Sequence, residues 1–213
     1  DLRTVTITDA SSDTLDVTYY RYYKEGDDHG YTHALKYVFN PSSFARLAAA
    51  VPDPLTASDS AVAAYADNFF EYDSAGRVSK EVARGAGCSS CAGGQGTFAY
   101  QYATSGNVDG SNSWKYRTVE TFDDGNTKTV YTNFAGEVML TALSDGGRTF
   151  LHYARYDDQG HVILQAGPSA VDGFDDSYAD LVNVQGGNAQ YLRDDEGLIE
   201  RMEYYTTTGG GAA

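Results

Sequence analysis

Two cysteines separated by two serines are the residues of this chain whose spacing most directly suggests chemistry. Cys88 and Cys91 lie in a segment with glycines on both sides. A disulfide between the two is the favoured interpretation. Because it would close a very short loop, its contribution through chain entropy would be about 2 kcal/mol or less. We therefore expect it to fix a local loop and not to hold the fold together.

Three other states of this cysteine pair stay open. A thioredoxin-like redox pair needs a helix that begins at its first cysteine, and the residues after Cys91, Ala-Gly-Gly-Gln-Gly, are poor helix formers. A zinc site needs four ligands, so histidine or a neighbouring chain would have to complete it. Two free thiols are the third alternative.

The histidines and acidic residues form no recognisable catalytic motif. Carboxylates gather at residues 27–28, 123–124 and 172–180, where turn chemistry explains most of them, although none has the spacing of an EF-hand calcium loop. We find neither a Gly-x-Ser-x-Gly elbow nor a phosphate-binding loop. The sequence therefore predicts no enzyme and no cofactor, with calcium left as an open alternative. The histidines, interpreted as structural or surface residues, are His29, His33, His152 and His161.

The charge balance narrows the classes of partner. The chain has 30 acidic and 15 basic residues, a net charge of −15, whereas phosphate binding needs clustered Lys and Arg. No apolar run approaches the roughly 20 residues of a membrane helix. We therefore expect no nucleic-acid partner and no membrane insertion. Since the chain begins at Asp1 without an initiator methionine, we expect a processed form or a segment of a longer protein.

The elements that must carry these residues are predicted to be mainly β-hairpins. Eighteen Tyr, nine Phe and 23 Gly against four Pro are typical of strands joined by tight turns. A phrase recurs in which an acid or amide precedes a glycine by three residues and a β-branched residue follows it by two. Its acid or amide can bond to its own turn, and its glycine can adopt positive φ. The full copies are Tyr72-Asp73-Ser74-Ala75-Gly76-Arg77-Val78 and Tyr156-Asp157-Asp158-Gln159-Gly160-His161-Val162, and weaker copies surround Gly136 and Gly197.

One region changes from strand to helix periodicity. Asn40 and Pro41 are suited to begin a helix, and apolar residues then follow at helical spacing. Thr56 to Asp59 resembles a capping box that opens a second short helix. The sequence thus predicts a two-helix insertion near residues 41–66 that covers a sheet face or end. Residues 167–187 are left as either a long loop or a short helix.

These elements predict the organisation of the chain. Residues 1–67 form an N-terminal β region with the helical insertion, residues 68–205 form the hairpin array, and residues 206–213 are a flexible tail or linker. The three belong to one structural unit overall. Strands are predicted at residues 3–9, 15–23, 33–39, 68–73, 76–84, 96–103, 114–122, 127–133, 136–143, 148–156, 160–166, 189–194 and 197–206.

The recurring phrases resemble the YD repeats of the RHS (rearrangement hot spot) family, which also occur in teneurins. The two full copies carry the resemblance, and the copies at Gly136 and Gly197 lack the tyrosine at its proper place. The segment at residues 31–39 and the helical insertion are similar to a region of large YD-repeat proteins of planctomycete-type bacteria. The resemblance implies antiparallel hairpins stacked as a YD-repeat sheet or solenoid in an extracellular or cell-surface protein.

Two functions follow from this resemblance and from the missing site chemistry. The first is a structural building unit of an extracellular fibre or cell-surface assembly, self-assembled by stacking of hairpins on copies of itself or on further repeats. The alternative is a segment of a shell that encapsulates a toxin or binds a cell-surface ligand, a glycan or a protein. This chain holds too few repeats to close such a shell alone. The third candidate function is an enzyme that acts on extracellular polysaccharide.

Overall fold

The computed structural model describes residues 1–84, 95–193 and 197–205. Within these residues the chain is mainly β, with twelve strands in one antiparallel sheet order and two short helices. The mainly antiparallel β prediction is therefore confirmed at this level. No helix in the described ranges has the length and apolar character needed to cross a membrane.

The strand order is nearly that of the chain. It runs in sequence from β1 (Thr4–Thr8) to β11 (Val162–Ala166) and ends with β14 (Ile199–Arg201), which pairs with β11. In the described part of the chain β1 and β14 do not pair with each other, so the order does not close into a barrel. Strands that pair side by side in this way are not the stacked coils of a solenoid, and the solenoid alternative is wrong.

The chain divides into two compact units. Unit 1 comprises Asp1–Tyr100 with Phe122–Asp124, and unit 2 comprises Gln101–Thr121 with Gly125–Ala213. The predicted boundary after residue 67 marks where the repeat phrases begin, whereas these two units are defined by contacts. That boundary stays a prediction. The predicted tail at residues 206–213 lies outside the described residues.

Unit 1 contains the first strands and the helical insertion. Its strands are β1 (Thr4–Thr8), β2 (Thr14–Tyr22), β3 (Leu35–Phe39), β4 (Asn68–Tyr72), β5 (Val78–Arg84) and, up to Tyr100, β6 (Gln95–Thr104). Its helices are α1 (Pro41–Ala50) and α2 (Asp59–Val62), followed by a 3₁₀ turn at Ala63–Tyr65. The two-helix insertion near residues 41–66 is therefore confirmed.

Side-chain caps explain where the two helices begin. Asn40 Oδ1 accepts a hydrogen bond from the backbone N–H of Ser43 at 3.1 Å, which satisfies a donor of the first turn of α1. Ser58 plays this role for α2, since its Oγ accepts from Ala61 N–H at 3.3 Å. The capping box predicted from Thr56 is wrong, because the Thr56 hydroxyl instead donates to Asp53 at 2.6 Å.

The insertion covers one sheet face of unit 1, as predicted. Aromatic rings from β2 and β3 pack in the core, with Tyr19 and Phe39 stacked at 5.2 Å between ring centroids. Leu47 of α1 and Val62 of α2 are fully buried against this cluster. Neither the helices nor the strands could bury these apolar side chains alone, so sheet and insertion form one core.

A charge network fastens α2 to the strands beneath it. The Asp59 carboxylate contacts the Arg21 guanidinium at 2.6 Å and the Lys36 ammonium at 2.7 Å. Lys36 also contacts Asp27 at 2.9 Å. Arg21 donates further to the carbonyls of Pro54 and Ala57. This arrangement links the loop before α2 to β2 and β3.

The same network determines the protonation of Asp59. Burial of the carboxyl by itself raises its pKa, but hydrogen bonds from Lys36 and Arg21 outweigh burial and hold the pKa below its usual value. The carboxyl thus binds its proton more weakly in the folded than in the unfolded chain. The resulting stabilisation is present above the unfolded pKa and is lost as pH falls through the folded pKa.

Unit 2 contains the remaining strands of the sheet and an irregular cover. Its strands are β7 (Tyr116–Thr121), β8 (Thr127–Thr132), β9 (Val138–Asp145), β10 (Arg148–Tyr156), β11 (Val162–Ala166) and β14 (Ile199–Arg201). A separate hairpin, β12 (Val184–Gln185) with β13 (Asn188–Ala189), lies between β11 and β14. The strands predicted at 189–194 and 197–206 are thus much shorter than expected.

Residues 167–193 cover one face of the unit 2 sheet without forming a helix in the described part. Ala170, Val171, Leu181 and Val182 are buried in one cluster with sheet residues such as Tyr153. The carboxylate of Asp180 shapes this segment by accepting the backbone N–H groups of residues 182, 183 and 184 at 3.1, 2.7 and 2.9 Å. Of the two alternatives predicted for residues 167–187, a long loop or a short helix, the structure shows the loop.

The segments Asp123-Asp124-Gly125-Asn126 and Ser144-Asp145-Gly146-Gly147 both have the residue types of a type I′ turn, but the two turns differ. The loop between β9 and β10 has φ of +55° at Gly146 and +85° at Gly147, between the paired Asp145 and Arg148. These values fit a type I′ turn whose central residues lie one position later than predicted. Between β7 and β8 only Gly125 has positive φ, +82°, and Asp124 does not. That turn is therefore not type I′. The loop between the paired Thr121 and Thr127 has five residues, and glycine is the fourth. The loop between Tyr72 and Val78 in the recurring phrase has the same length and the same place for glycine.

Asp59→Asn tests the charge network through its pH dependence. We expect the substitution to lower the free energy of unfolding above about pH 5, and the difference to shrink as pH falls below about 4, through the lowered folded pKa of Asp59. The measurement is urea unfolding across this range. Asp16→Asn, at an exposed acid of β2, is the control and should show no such pH-dependent difference. A constant difference at every pH would contradict the network's role.

Candidate functional site

The recurring phrase folds into a turn capped by its own acidic residue. Asp73 Oδ1 accepts the backbone N–H groups of Ala75 at 2.9 Å and Arg77 at 3.0 Å. The Asp73 carbonyl accepts Gly76 N–H at 3.0 Å, and Gly76 has φ of +76°. The Arg77 backbone N–H, followed by its side chain, lowers the pKa of Asp73. One carboxylate thus satisfies two of the turn's backbone donors, and the backbone carbonyl of the same residue satisfies a third.

The second full copy repeats this geometry. Asp157 Oδ1 accepts Gln159 N–H and His161 N–H, each at 2.9 Å, and Gly160 has φ of +84°. His161 also contacts Asp157 through its Nδ1 at 2.9 Å, as Arg77 contacts Asp73 in the first copy. The residue after the glycine thus returns to the capping acid in both copies.

The copy at Gly136 has the same turn with an amide as its cap. Asn133 Oδ1 accepts Ala135 N–H and Glu137 N–H, each at 3.0 Å, and Gly136 has φ of +86°. Asn133 is fully buried, and its amide donates to the carbonyl of Ser111 at 2.9 Å. An amide suits this place because it accepts from the turn and donates to the loop beside it.

A fourth turn of this kind begins at Asp9. The sequence predicts a turn at Ser11-Ser12-Asp13 but does not identify it as a copy of the recurring phrase. Asp9 Oδ1 accepts Ser11 N–H at 2.8 Å and Asp13 N–H at 2.9 Å. The place of the glycine is taken by Ser12, with φ of +70°. The acid three residues earlier and the β-branched Thr14 two residues later were the available signal. A search that requires glycine does not find it.

Gly197 has another structural reason to be glycine. A Cβ at this position would lie 2.6 Å from backbone atoms of Ser169 and Ala170. Close backbone approach therefore explains this residue better than turn geometry does. Its predicted capping acid, Asp194, lies outside the described residues, as do Cys88 and Cys91 of the predicted disulfide.

Each of the four capped turns is followed by one extra residue in the second strand of its hairpin. The strand register shifts by one residue next to each turn, which is the pattern of a β-bulge. A three-residue loop with a left-handed residue and a bulge is a common hairpin connection. The residues that the register skips are Leu15, Ser79, Met139 and Ile163.

The tyrosine of the phrase fastens its hairpin to the preceding strand. The Tyr72 hydroxyl donates to the carbonyl of Leu35, the first residue of β3, at 2.8 Å. The Tyr156 hydroxyl likewise donates to Val138, the first residue of β9, at 2.8 Å. Burial raises the pKa of both tyrosines. The repeat therefore contains a turn and also a connection between neighbouring hairpins.

The tyrosines of β2 and the residue after it divide between the two sheet faces. Tyr19 and Tyr23 are almost fully buried, while Tyr20 and Tyr22 are half-buried. The Tyr23 hydroxyl donates to the carbonyl of Phe70 at 2.6 Å. On the covered face these rings therefore serve the core, as the structural interpretation of the tyrosines expects.

The histidines and acids do not assemble into a metal site within the described ranges, where no group of three potential ligands could hold an ion. His33 contacts the carboxylate of Asp1 at 2.7 Å. His161 stacks on Tyr204 with 4.7 Å between ring centroids. His29 and His152 are exposed.

Wide grooves occur in both units, and two of them contain several polar side chains. In unit 2 a groove of about 610 Å³ has a mostly apolar lining, in which the polar side chains include His152, Gln165 and Glu200. In unit 1 a groove of about 620 Å³ contains Arg21 and Asp59, which are already bonded to each other. In the unit 1 groove the charged side chains of Arg21 and Asp59 therefore stabilise the fold. In the unit 2 groove the polar side chains are exposed to solvent.

The outer edge of unit 1 is the remaining candidate surface. Within the described residues β1 pairs with β2 alone. Two of its apolar side chains face solvent, with 41% of Val5 and 54% of Ile7 exposed. An unpaired strand with exposed apolar residues is a template for pairing with another chain.

Comparison of the chain with known protein family models and with curated proteins finds no match. Function is therefore inferred from the turns, the tyrosine connections and the sheet edge.

Ser12→Gly tests the fourth turn. A non-glycine residue in the left-handed region carries a penalty of roughly 1–2 kcal/mol, partly offset by the greater freedom of glycine in the unfolded chain. We expect a net stabilisation of about 0.5–1 kcal/mol in urea unfolding. Ser11→Gly, one residue earlier and outside the left-handed region, should instead destabilise the protein. Equal effects at the two positions would contradict the assigned geometry.

Removal of one hydroxyl tests the tyrosine connection. Tyr72→Phe and Tyr156→Phe should each lower the free energy of unfolding by about 1 kcal/mol, because a strand carbonyl loses its donor. Tyr205, which is fully exposed, supplies the control, since Tyr205→Phe should change stability by less than about 0.5 kcal/mol. If all three variants unfold at the same urea concentration as the wild type, the connection has no energetic role.

Proposed function

We propose that the chain is a structural building unit of an extracellular fibre or cell-surface assembly, formed by stacking of YD-repeat hairpins. The single observation that carries the proposal is the recurrence of one hairpin design in a continuous antiparallel strand order. Its acid or amide caps the turn at Asp73, Asn133 and Asp157. Such a design can be extended by adding hairpins, because each one offers its neighbour the same edge.

The tyrosine connections support this proposal. Tyr72 and Tyr156 bond across to the preceding strand at equivalent places, so hairpins are joined by side chains as well as by the backbone ladder. The open edge at β1 offers a place where further protein can join. The excess of acidic residues is consistent with a surface that stays soluble until specific edges meet.

A second candidate is a segment of a shell or ligand-binding module that engages a glycan or a protein. The observation in its favour is the solvent-facing groove of unit 2, with His152, Gln165 and Glu200 in its lining. Hydroxyls of a sugar could bond to such side chains. Binding to a glycan array that is lost on Glu200→Ala would favour this candidate.

The test of the structural proposal is assembly of the purified chain. Electron microscopy and sedimentation over a concentration series should show reversible, regular oligomers or filaments. Because the net charge of −15 makes copies repel one another, assembly should increase with salt as the Debye length falls to about 10 Å at 0.1 M. Dispersed monomers at every concentration and salt would overturn the proposal. Irregular, irreversible aggregates would count against it as well.

A further inference from the structure

The outer edge of β1, which has no further strand beside it in the part of the chain that the structure describes, has a sequence that complements itself. Thr4 to Thr8 reads Thr-Val-Thr-Ile-Thr and contains no charge, while Arg3 precedes it and Asp9 follows it. Thr6 is at the centre of this segment. When two such strands run antiparallel about an axis through Thr6, the apolar residues of one copy meet those of the other, and the basic end of one meets the acidic end of the other.

The backbone of β1 presents the correct groups for such pairing. The Arg3 carbonyl accepts Tyr20 N–H and the Asp9 N–H donates to Asp13, each at 2.9 Å. Because backbone groups alternate along an antiparallel strand, residues 3, 5, 7 and 9 direct theirs towards β2. Thr4, Thr6 and Thr8 therefore direct their N–H and C=O groups outwards.

A two-fold axis at Thr6 satisfies all these outward groups. Thr6 would face Thr6 of the second copy, and Thr4 would face Thr8 of the second copy, as hydrogen-bonded pairs. Val5 would face Ile7 of the second copy as a non-hydrogen-bonded pair, where side chains approach most closely. A shift by one residue would set outward groups against inward ones, so the backbone and the apolar residues select the same register.

The charges at the strand ends agree with this register. Arg3 would lie opposite Asp9 of the second copy, twice in each dimer. The Arg3 guanidinium already donates to the Leu55 carbonyl, but it has five N–H donors, so others remain for a carboxylate. Asp9 uses Oδ1 for its own turn, which leaves Oδ2 to accept.

We propose that a second copy of this chain docks on β1 by antiparallel strand pairing about a two-fold axis at Thr6. The inference rests on the proposed function in one respect, since it names the partner of one edge of the building unit. A two-fold contact is self-complementary and closes this edge in a dimer. Filament growth would then use a different surface. The contact is small, so the dimer should be weak and concentration-dependent.

Matched lysine substitutions test which surface is used. Ile7→Lys places a charge against Val5 of the second copy and should weaken dimerisation in sedimentation by about tenfold or more. Leu15→Lys is the control. Leu15 is similarly exposed, at 61%, but lies in β2, one strand inward from the edge. It should leave the dimerisation constant within about twofold of the wild type.

Cysteine crosslinking tests the register. In chains that carry Cys88→Ser and Cys91→Ser, Thr6→Cys should form a covalent dimer on oxidation, because opposed residues in a hydrogen-bonded pair have Cα atoms about 5.5 Å apart. Thr4→Cys alone should not crosslink, since it faces position 8. A mixture of Thr4→Cys and Thr8→Cys chains should crosslink to each other.

The outcomes separate this inference from the function it rests on. Fast crosslinking at position 6, with dimers lost in Ile7→Lys, supports the β1 contact. If Ile7→Lys assembles as the wild type does and Thr6→Cys crosslinks no faster than Thr4→Cys, the β1 contact is wrong while assembly through another surface stands. If the wild type does not self-associate at all, the building-unit function and the contact both fall.

Discussion

A side-chain oxygen that accepts two backbone N–H groups of its own turn is the interaction on which this structure depends. At Asp73, Asn133 and Asp157 it holds a tight turn whose fourth residue has positive φ. Each strand reversal is thereby specified within a few residues. The long-range pairing of strands then starts from hairpins whose register is already fixed, which lowers the entropy that must be lost to form the sheet.

Each unit completes its core by a different solution to the same constraint. A sheet face with apolar side chains must be covered. In unit 1 two capped helices provide the cover, and the Asp59 network ties them to the strands. In unit 2 an irregular segment does so, shaped by Asp180 and by a small hairpin. The capped turns fix the register of the strands, and the covering segments stabilise the sheet by burying its apolar face.

The sequence predicted most of the local structure because that structure is encoded locally. The helical insertion, the turns at Gly76 and Gly160 and the mainly β class all follow from spacing and residue type. The turn at Ser12 was predicted, but its likeness to the capped turns was missed because serine in the left-handed region gives no signal of its own. The type I′ prediction at Gly125 was wrong because residue preference does not fix which of two neighbouring residues takes positive φ. The cover at residues 167–193 depends on distant contacts, which no local pattern reveals.

The bulge after each turn has a consequence for how such a chain tolerates change in length. The cross-strand pairs on the two sides of the bulge are regular, with Tyr72 opposite Val78 and Glu71 opposite Lys80. The bulge therefore absorbs the extra residue, and the residues beyond it keep the sheet face of their partners. Deletion of Ser79 would make these two pairs consecutive and would reduce the local twist, while the interior and exterior faces of the strand would stay as they are. A hairpin of this design can thus lose the residue just beyond its turn without turning its core side chains outwards.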